Sequence, residues 1–406
     1  MPACALFNGH SKRYRPPRST SLRRFETMHI LLSANSAWNI WNFRRPVVQE
    51  LIARKHRVSV LAPPDDSLAE LEAMGCRTLP LEMSVKGLNP VEDLRLLYRF
   101  KRQFREERPD VVLGYTIKNN LFGALAAKRL GIPFIPNVTG LGTAFLSGGA
   151  LRFVAEQLYR RAFADLRTVF FQNPDDRKLF VSRQLVTAEQ ARLLPGSGID
   201  LRRFAAVGLP DPETPPVFLM IARLLRDKGV MEFVQAARLV KATHPGTRFQ
   251  LLGACDAENR SAIDKEMVDA WVAEGLIEYL GTTEDVRPNI ARATCVVLPS
   301  YREGAPRTLI EAAAMARPLI ATDVPGCREV VDHGITGYLC KLRSADSLAR
   351  AMLTLLSRPP EALTAMGRAG RRKVEQVFDE QIVVDAYMRA IDELTRGFET
   401  RLERLH

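Results

Sequence analysis

The sequence predicts an α/β protein made of two facing, doubly wound domains with a cleft between them. Three observations carry this expectation. Short apolar segments alternate with amphipathic helical ones from Met28 onward, a proline-rich stretch interrupts the alternation midway, and 406 residues are enough for two domains. Strand–helix–strand repeats of this kind build parallel sheets, and ligands bind such sheets beyond the carboxyl ends of their strands.

In order along the chain, HILLSA reads as an extended apolar segment, ANSAWNIWNFR as a polar and aromatic loop, RPVVQELIARK as a helix and HRVSVLAPP as the next strand. The segment LNPVEDL starts a helix, with Asn89 as the cap, Pro90 in the first turn and Glu92 in a box-like position. That helix stops before Pro109, and DVVLGY supplies a strand. GALAAKRLGIP and FIPNVT repeat the theme. Pro210, Pro212, Pro215 and Pro216 crowd the segment AVGLPDPETPP, where the domain linker is placed. Beyond it VFLMIARL, RFQLLGA, IEYLG, TCVVLPS and RPLIATDV are strands alternating with helical segments, and QIVVDAYMRAIDEL closes the chain as an amphipathic helix. The expected division is a basic, disordered extension at 1–27, a first domain at 28–205, a linker at 206–216, a second domain at 217–380, and a helix and tail at 381–406 that pack back toward the first domain. Met28, where the first strand begins, is a candidate translational start.

Six widely spaced cysteines without a C-x-x-C pair argue against both a disulfide framework and a zinc site, and suit reduced thiols in the cytoplasm. No apolar run reaches the roughly 18 residues that span a bilayer, and the start lacks the apolar core of a signal peptide. The net charge of +12 is carried by the N-terminal half. An anionic partner follows: a phosphate-bearing lipid, an anionic membrane surface or nucleic acid. No nucleic-acid module is recognisable, and the aromatics form no stacking platform, so nucleic acid is the weaker reading.

The most informative stretch is YREGAPRTLIEAAAMARPLIATDVPGCREVV, residues 301–331. It places a loop at the carboxyl end of strand VVLPS and a helix directly after it. Pro306 suits the first helical position, and the amides around Gly304, Ala305, Arg307 and Thr308 are left open to an anion at the helix start. A diphosphate fits there. Glu311 lies five residues beyond Pro306, roughly 7.5 Å along the axis at about 1.5 Å per residue, within reach of a ribose. Glu303 faces the other end of the diphosphate, where hexose hydroxyls would lie. The spacing suits a nucleotide sugar with one carboxylate on each ring.

These residues, E-G-A-P-R-T-L-I-E, resemble the E-x7-E motif of retaining glycosyltransferase family 4, which has the GT-B fold of two Rossmann-like domains. IARLLRDKGV resembles the segment of that family whose Arg and Lys bind the diphosphate, which assigns the role to Arg223 and Lys228. YLGTTEDV resembles the turn that packs on the nucleobase, bringing in Gly281 and Thr282. WNFRRPVVQEL, KGLNPVEDL, KNNLFGALAAKRLGIP and VTGLGTAF resemble bacterial transferases that extend polyprenyl-diphosphate-linked sugars. The resemblance implies a metal-free reaction with no cofactor beyond a nucleotide sugar, here UDP-linked. Arg223, Lys228 and Glu303 would be catalytic, the acceptor would be a lipid-linked saccharide, and the enzyme would sit on the inner face of the plasma membrane. Many relatives carry a histidine after the strand equivalent to DVVLGY. This chain has TIKNN there, leaving Lys118, Asn119 or the departing phosphate to make its contacts.

Other readings stay open. Glu311, Arg223 and Lys228 are also residues that solvated surfaces carry. Gly140 and Gly142 of the G-L-G allow close approach to substrate or simply a tight turn. Trp38, Trp41, Asn42 and Phe43 either stack on acceptor sugar or pack under the sheet. The basic helices LRLLYRFKRQFR and LRFVAEQLYRRAF either lie on an anionic membrane or carry ordinary solvated arginines. The rival within the fold is an enzyme acting on a soluble acceptor, or another nucleotide-sugar-processing enzyme.

Overall fold

A computed structural model of the chain describes residues 27–84, 89–141, 149–255 and 261–402. The expected basic extension, apart from Thr27, lies outside the described residues, as do Gly142 and residues 403–406. The first sheet is built from β1 (His29–Ser33), β2 (Arg57–Ala62), β3 (Arg77–Pro80), β4 (Val111–Tyr115), β5 (Phe134–Val138), β6 (Val169–Phe171) and β7 (Ala191–Leu193). These pair in the order β3-β2-β1-β4-β5-β6-β7, all in parallel. The second contains β8 (Val217–Ile221), β9 (Arg248–Leu252), β10 (Glu278–Tyr279), β11 (Cys295–Leu298), β12 (Leu319–Thr322) and β13 (Gly337–Cys340), in the order β10-β9-β8-β11-β12-β13 and again parallel. Both orders reverse direction once, between β1 and β4 and between β8 and β11. In such sheets that reversal opens the crevice in which ligands sit. The central strands β1, β4, β5 and β8 are buried along their whole length, because helices cover both faces.

The last helix, Glu380–Leu402, belongs to the first domain by packing. Val383, Val384, Tyr387 and Ile391 join Ile30, Val48 and Leu51 in one core, and Asn137 donates to the Tyr387 hydroxyl at 2.9 Å. The chain therefore crosses between domains twice. The crossings run side by side: Ile199 N donates to Phe378 O at 2.8 Å and Glu380 N to Ile199 O at 3.2 Å. Ile199 and Phe204 pack with the core of the second domain, so the first crossing lies ahead of residues 206–216. The proline-rich stretch is instead pinned to the second domain, where the buried Arg317 donates to Gly208 O at 2.5 Å.

Two local expectations are corrected. The segment read as an aromatic loop is the first half of helix Ala37–Ala53, capped by Ser36, whose side chain accepts from Asn39 N at 3.1 Å. Pro46 lies inside that helix, whose second half falls within the segment RPVVQELIARK. Asn89 caps its helix through Val91 N and Glu92 N, but the Glu92 carboxylate turns to Arg95 at 2.6 Å instead of closing a box.

Candidate active site

The second-domain side of the cleft is assembled at the carboxyl ends of β8, β9, β10 and β11. Just beyond β8, the exposed Arg223 is followed by the turn Arg226–Lys228 and helix Val230–Lys241. Gly229, at φ +79, lets this turn press on the end of β11: a Cβ there would lie 2.1 Å from Pro299 O. The close approach brings Lys228 Nζ to 2.5 Å from Glu303 Oε1 on the neighbouring loop. Leu224 N bonds Ala254 O at 2.9 Å and Gly253 N bonds Gly281 O at 2.8 Å, so the Arg223 loop and the Gly281–Thr282 turn share one rim.

Helix Arg307–Ala314 follows the Glu303 loop. Pro306 occupies its N-cap, one position earlier than expected, and a proline supplies no capping side chain. The start of the helix is thus free of a side-chain cap, as an anion seat requires. Glu311 is buried on the second turn, and Arg307 Nε donates to its Oε1 at 2.7 Å. Burial raises the Glu311 pKa, while the neighbouring guanidinium opposes the rise. Beneath the site, burial holds the Cys327 thiol far above its ordinary pKa, which leaves it neutral.

On the opposite side, Gly140 and Lys118 line a cavity of about 260 Å³ with Asn35, Met83, Thr116, Ile117 and Thr139, at the ends of β1, β4 and β5. Lys118 Nζ is held by Asp93 Oδ1 at 2.9 Å. Asn119 does not face the cleft: it is fully buried, donating to Ser33 Oγ at 2.8 Å and accepting from Thr116 Oγ1 at 3.0 Å. Asn42 takes part through its backbone, its carbonyl accepting from Arg307 Nη1 at 2.6 Å.

Several residues at the site were not singled out in the sequence. Thr116 adopts φ +67 at the end of β4, a costly conformation for a β-branched residue, and the π-helical turn Asn119–Gly123 follows at once. Strain of this kind gathers at functional sites. Across the cleft, Asn173 Nδ2 donates to Gly304 O at 3.1 Å, and Arg302 pairs with the buried Asp176. Gly304 lies so close to the first domain that a Cβ would stand 2.2 Å from Thr139 O. The loop from Glu303 to Pro306 therefore docks directly on the opposite lobe. The side-chain chemistry was visible in the sequence, whereas these pairings join residues more than a hundred positions apart.

Residues 40–196 match the Glycosyl transferase 4-like domain and residues 215–358 match the Glycosyl transferases group 1 family. The N,N'-diacetylbacillosaminyl-diphospho-undecaprenol alpha-1,3-N-acetylgalactosaminyltransferase of Campylobacter jejuni is 27% identical over 386 residues, covering 91% of this chain and 100% of that protein. The UDP-Gal:alpha-D-GlcNAc-diphosphoundecaprenol alpha-1,3-galactosyltransferase of Escherichia coli is 24% identical over 307 residues, 72% of this chain and 78% of that one. Among solved structures, a glycosyltransferase from Rickettsia africae superposes with a TM-score of 0.73 at 18% identity, covering 91% of this chain and 99% of its own. Anabaena HepE in complex with UDP and glucose gives 0.73 at 17% identity, with 90% and 100% covered. The two domain matches, one on each lobe of a GT-B fold, place this chain in the group 1 glycosyltransferases with a 4-like N-terminal domain, and it is a glycosyltransferase.

Proposed function

We propose that this enzyme transfers a hexose or N-acetylhexosamine from a UDP-sugar to a polyprenyl-diphosphate-linked saccharide, with retention of anomeric configuration. The similarity along the whole length of the Campylobacter transferase carries the acceptor class. The donor lies with its diphosphate against Arg223, Lys228 and the open start of helix Arg307–Ala314. Its ribose meets Glu311, its base meets Gly281 and Thr282, and its sugar meets Glu303. As the bond from the anomeric carbon to the diphosphate breaks, negative charge grows on the leaving oxygen. Fixed cations and amides that need no reorganisation stabilise it. The acceptor hydroxyl bonds to the anomeric carbon from the same face and gives its proton to the departing diphosphate, a route that needs no histidine beside Lys118.

The acceptor is a lipid, and the first domain offers a surface for it. Helix Pro90–Glu107 exposes Val91, Leu94 and Tyr98 on one stripe beside the exposed Arg95 and Arg102, and Phe153 and Val154 project from helix Gly149–Phe163. Apolar and basic side chains side by side suit the headgroup region of an anionic bilayer. Among the described residues, no helix is long and apolar enough to cross a membrane. The reading thus assigns the enzyme to the cytoplasmic membrane surface and its positive charge to lipid, not nucleic acid.

The test is transfer from a panel of UDP- and GDP-sugars to a short polyprenyl-diphosphate-linked monosaccharide, with the anomeric coupling of the product read by NMR. A product of unchanged anomeric configuration, made from a UDP-sugar, is expected. Turnover only with soluble acceptors, or an inverted product, would overturn this reading.

A further inference from the structure

Helix Ala37–Ala53 carries Pro46 in its third turn. A proline has no N–H to return to the carbonyl four residues earlier, and its ring pushes that carbonyl aside. The carbonyl so released is that of Asn42, and it accepts from Arg307 Nη1 of the other domain at 2.6 Å. The same guanidinium gives its Nε to Glu311 Oε1 at 2.7 Å and lies 5.1 Å from the centre of the Phe43 ring. One planar fork therefore joins a buried carboxylate of the donor side to the backbone of the opposite lobe. Arginine can do this because its N–H groups diverge in a fixed plane, whereas a lysine ammonium is a single point.

We propose that Arg307 is a positioning residue that makes donor engagement and closure of the two domains one coupled event, with Pro46 supplying the acceptor atom on the far side. The pose of Arg307 that orients Glu311 toward the donor is also the pose that reaches Asn42 O. Closure therefore favours the donor-competent carboxylate, and by reciprocity a bound donor favours closure. The inference rests on the assignment of Glu311 to the donor.

The experiment uses the full chain. UDP affinity is measured by calorimetry and the radius of gyration by X-ray scattering with and without UDP, for wild type, Arg307→Lys, Pro46→Ala and Glu311→Gln. Wild type is expected to compact on binding UDP. Arg307→Lys should bind UDP about tenfold more weakly, within the usual range of coupling between sites, and should lose the compaction. Pro46→Ala restores an N–H that competes for Asn42 O, so it should show the same pair of changes to a smaller degree and raise the donor KM more than it lowers kcat, although it touches no donor atom. A purely structural role for either residue would move thermal stability alone. Wild-type affinity and compaction in Pro46→Ala would overturn the proposal even if Arg307→Lys did not fold, and so would a wild type whose dimensions ignore UDP. Full UDP affinity in Glu311→Gln is a separate failure: it would remove the donor assignment, and the coupling with it.

Discussion

Lys228 and Glu303 meet at 2.5 Å because a glycine at position 229 lets one loop press on another. The proposed donor pose gives each a different part of the donor, Lys228 the diphosphate and Glu303 the sugar. Removing a preorganised charge at a developing oxyanion typically costs about 10²–10³ in kcat, and Lys228→Ala is expected to fall in that range, measured as steady-state transfer at saturating donor. Glu311 adds a pH dependence. Its pKa is raised by burial, so it takes up a proton at a higher pH than an ordinary glutamate. Ionised, both of its oxygens accept hydrogen bonds, from ribose hydroxyls and from Arg307; protonated, one oxygen becomes a donor and the charge that holds Arg307 is lost. UDP affinity should therefore weaken on acidification before the range in which free glutamate titrates, near 4.3, is reached, and Glu311→Gln should flatten that limb of the profile. Calorimetric titrations with UDP across pH 5–8 decide between a sloping and a level curve. Both carboxylates were legible in the sequence, since a loop-helix step with an open start is a local pattern. Asn173, Asp176 and Arg302 were not, because a lone Asn, Asp or Arg acquires meaning only when another lobe faces it.

The loop from Glu303 to Pro306 and the helix it enters form the element on which both halves of the site converge. Gly304 shows the tolerance: a Cβ there would meet Thr139 O of the opposite domain at 2.2 Å. Gly304→Ala should leave the isolated lobes intact but hold them apart, so that transfer drops at least tenfold while the thermal midpoint stays close to wild type. Transfer kinetics beside differential scanning calorimetry check both halves of that statement. Helix Pro90–Glu107 makes a second element-level claim. Leu94→Glu combined with Tyr98→Glu should reduce sedimentation with anionic vesicles and leave binding of UDP unchanged. The cap of this helix was readable from Asn89 and Pro90, and the alternation of apolar segments gave most strands their places. The first half of the helix that begins at Ala37 was not readable, because Pro46 and the aromatic residues before it imitate a loop, whereas its second half, within RPVVQELIARK, was read as helical. Its stability comes from burying Ile40, Val47, Val48 and Leu51 against the sheet.

At the scale of the whole molecule, the last helix ties the two lobes together by completing the core of the first. Tyr387 is fully buried there and accepts from Asn137. Tyr387→Ala should cost about 3–5 kcal/mol, as other large aromatic deletions do, and Tyr387→Phe about 1 kcal/mol for the lost hydrogen bond. Denaturant unfolding would separate the two. Stability also depends on pH through His29 and His56, whose pKa values are lowered by burial in the first domain. The unfolded chain therefore binds protons before the folded one does. Stability should decline as pH falls from the ordinary histidine pKa near 6.5 toward the lower folded values, and His29→Gln should reduce that slope. Two facing domains were legible from length, alternation and the proline-rich break. The position of the crossing was not, since Ile199 and Phe204 reveal their allegiance only through packing with the second core.

The most direct measurement is a crystal structure of the enzyme with UDP. The diphosphate should lie within hydrogen-bonding distance of Arg223, Lys228 and the first amides of helix Arg307–Ala314, with the ribose on Glu311. UDP bound elsewhere, touching none of these groups, would contradict the assignment of the cleft.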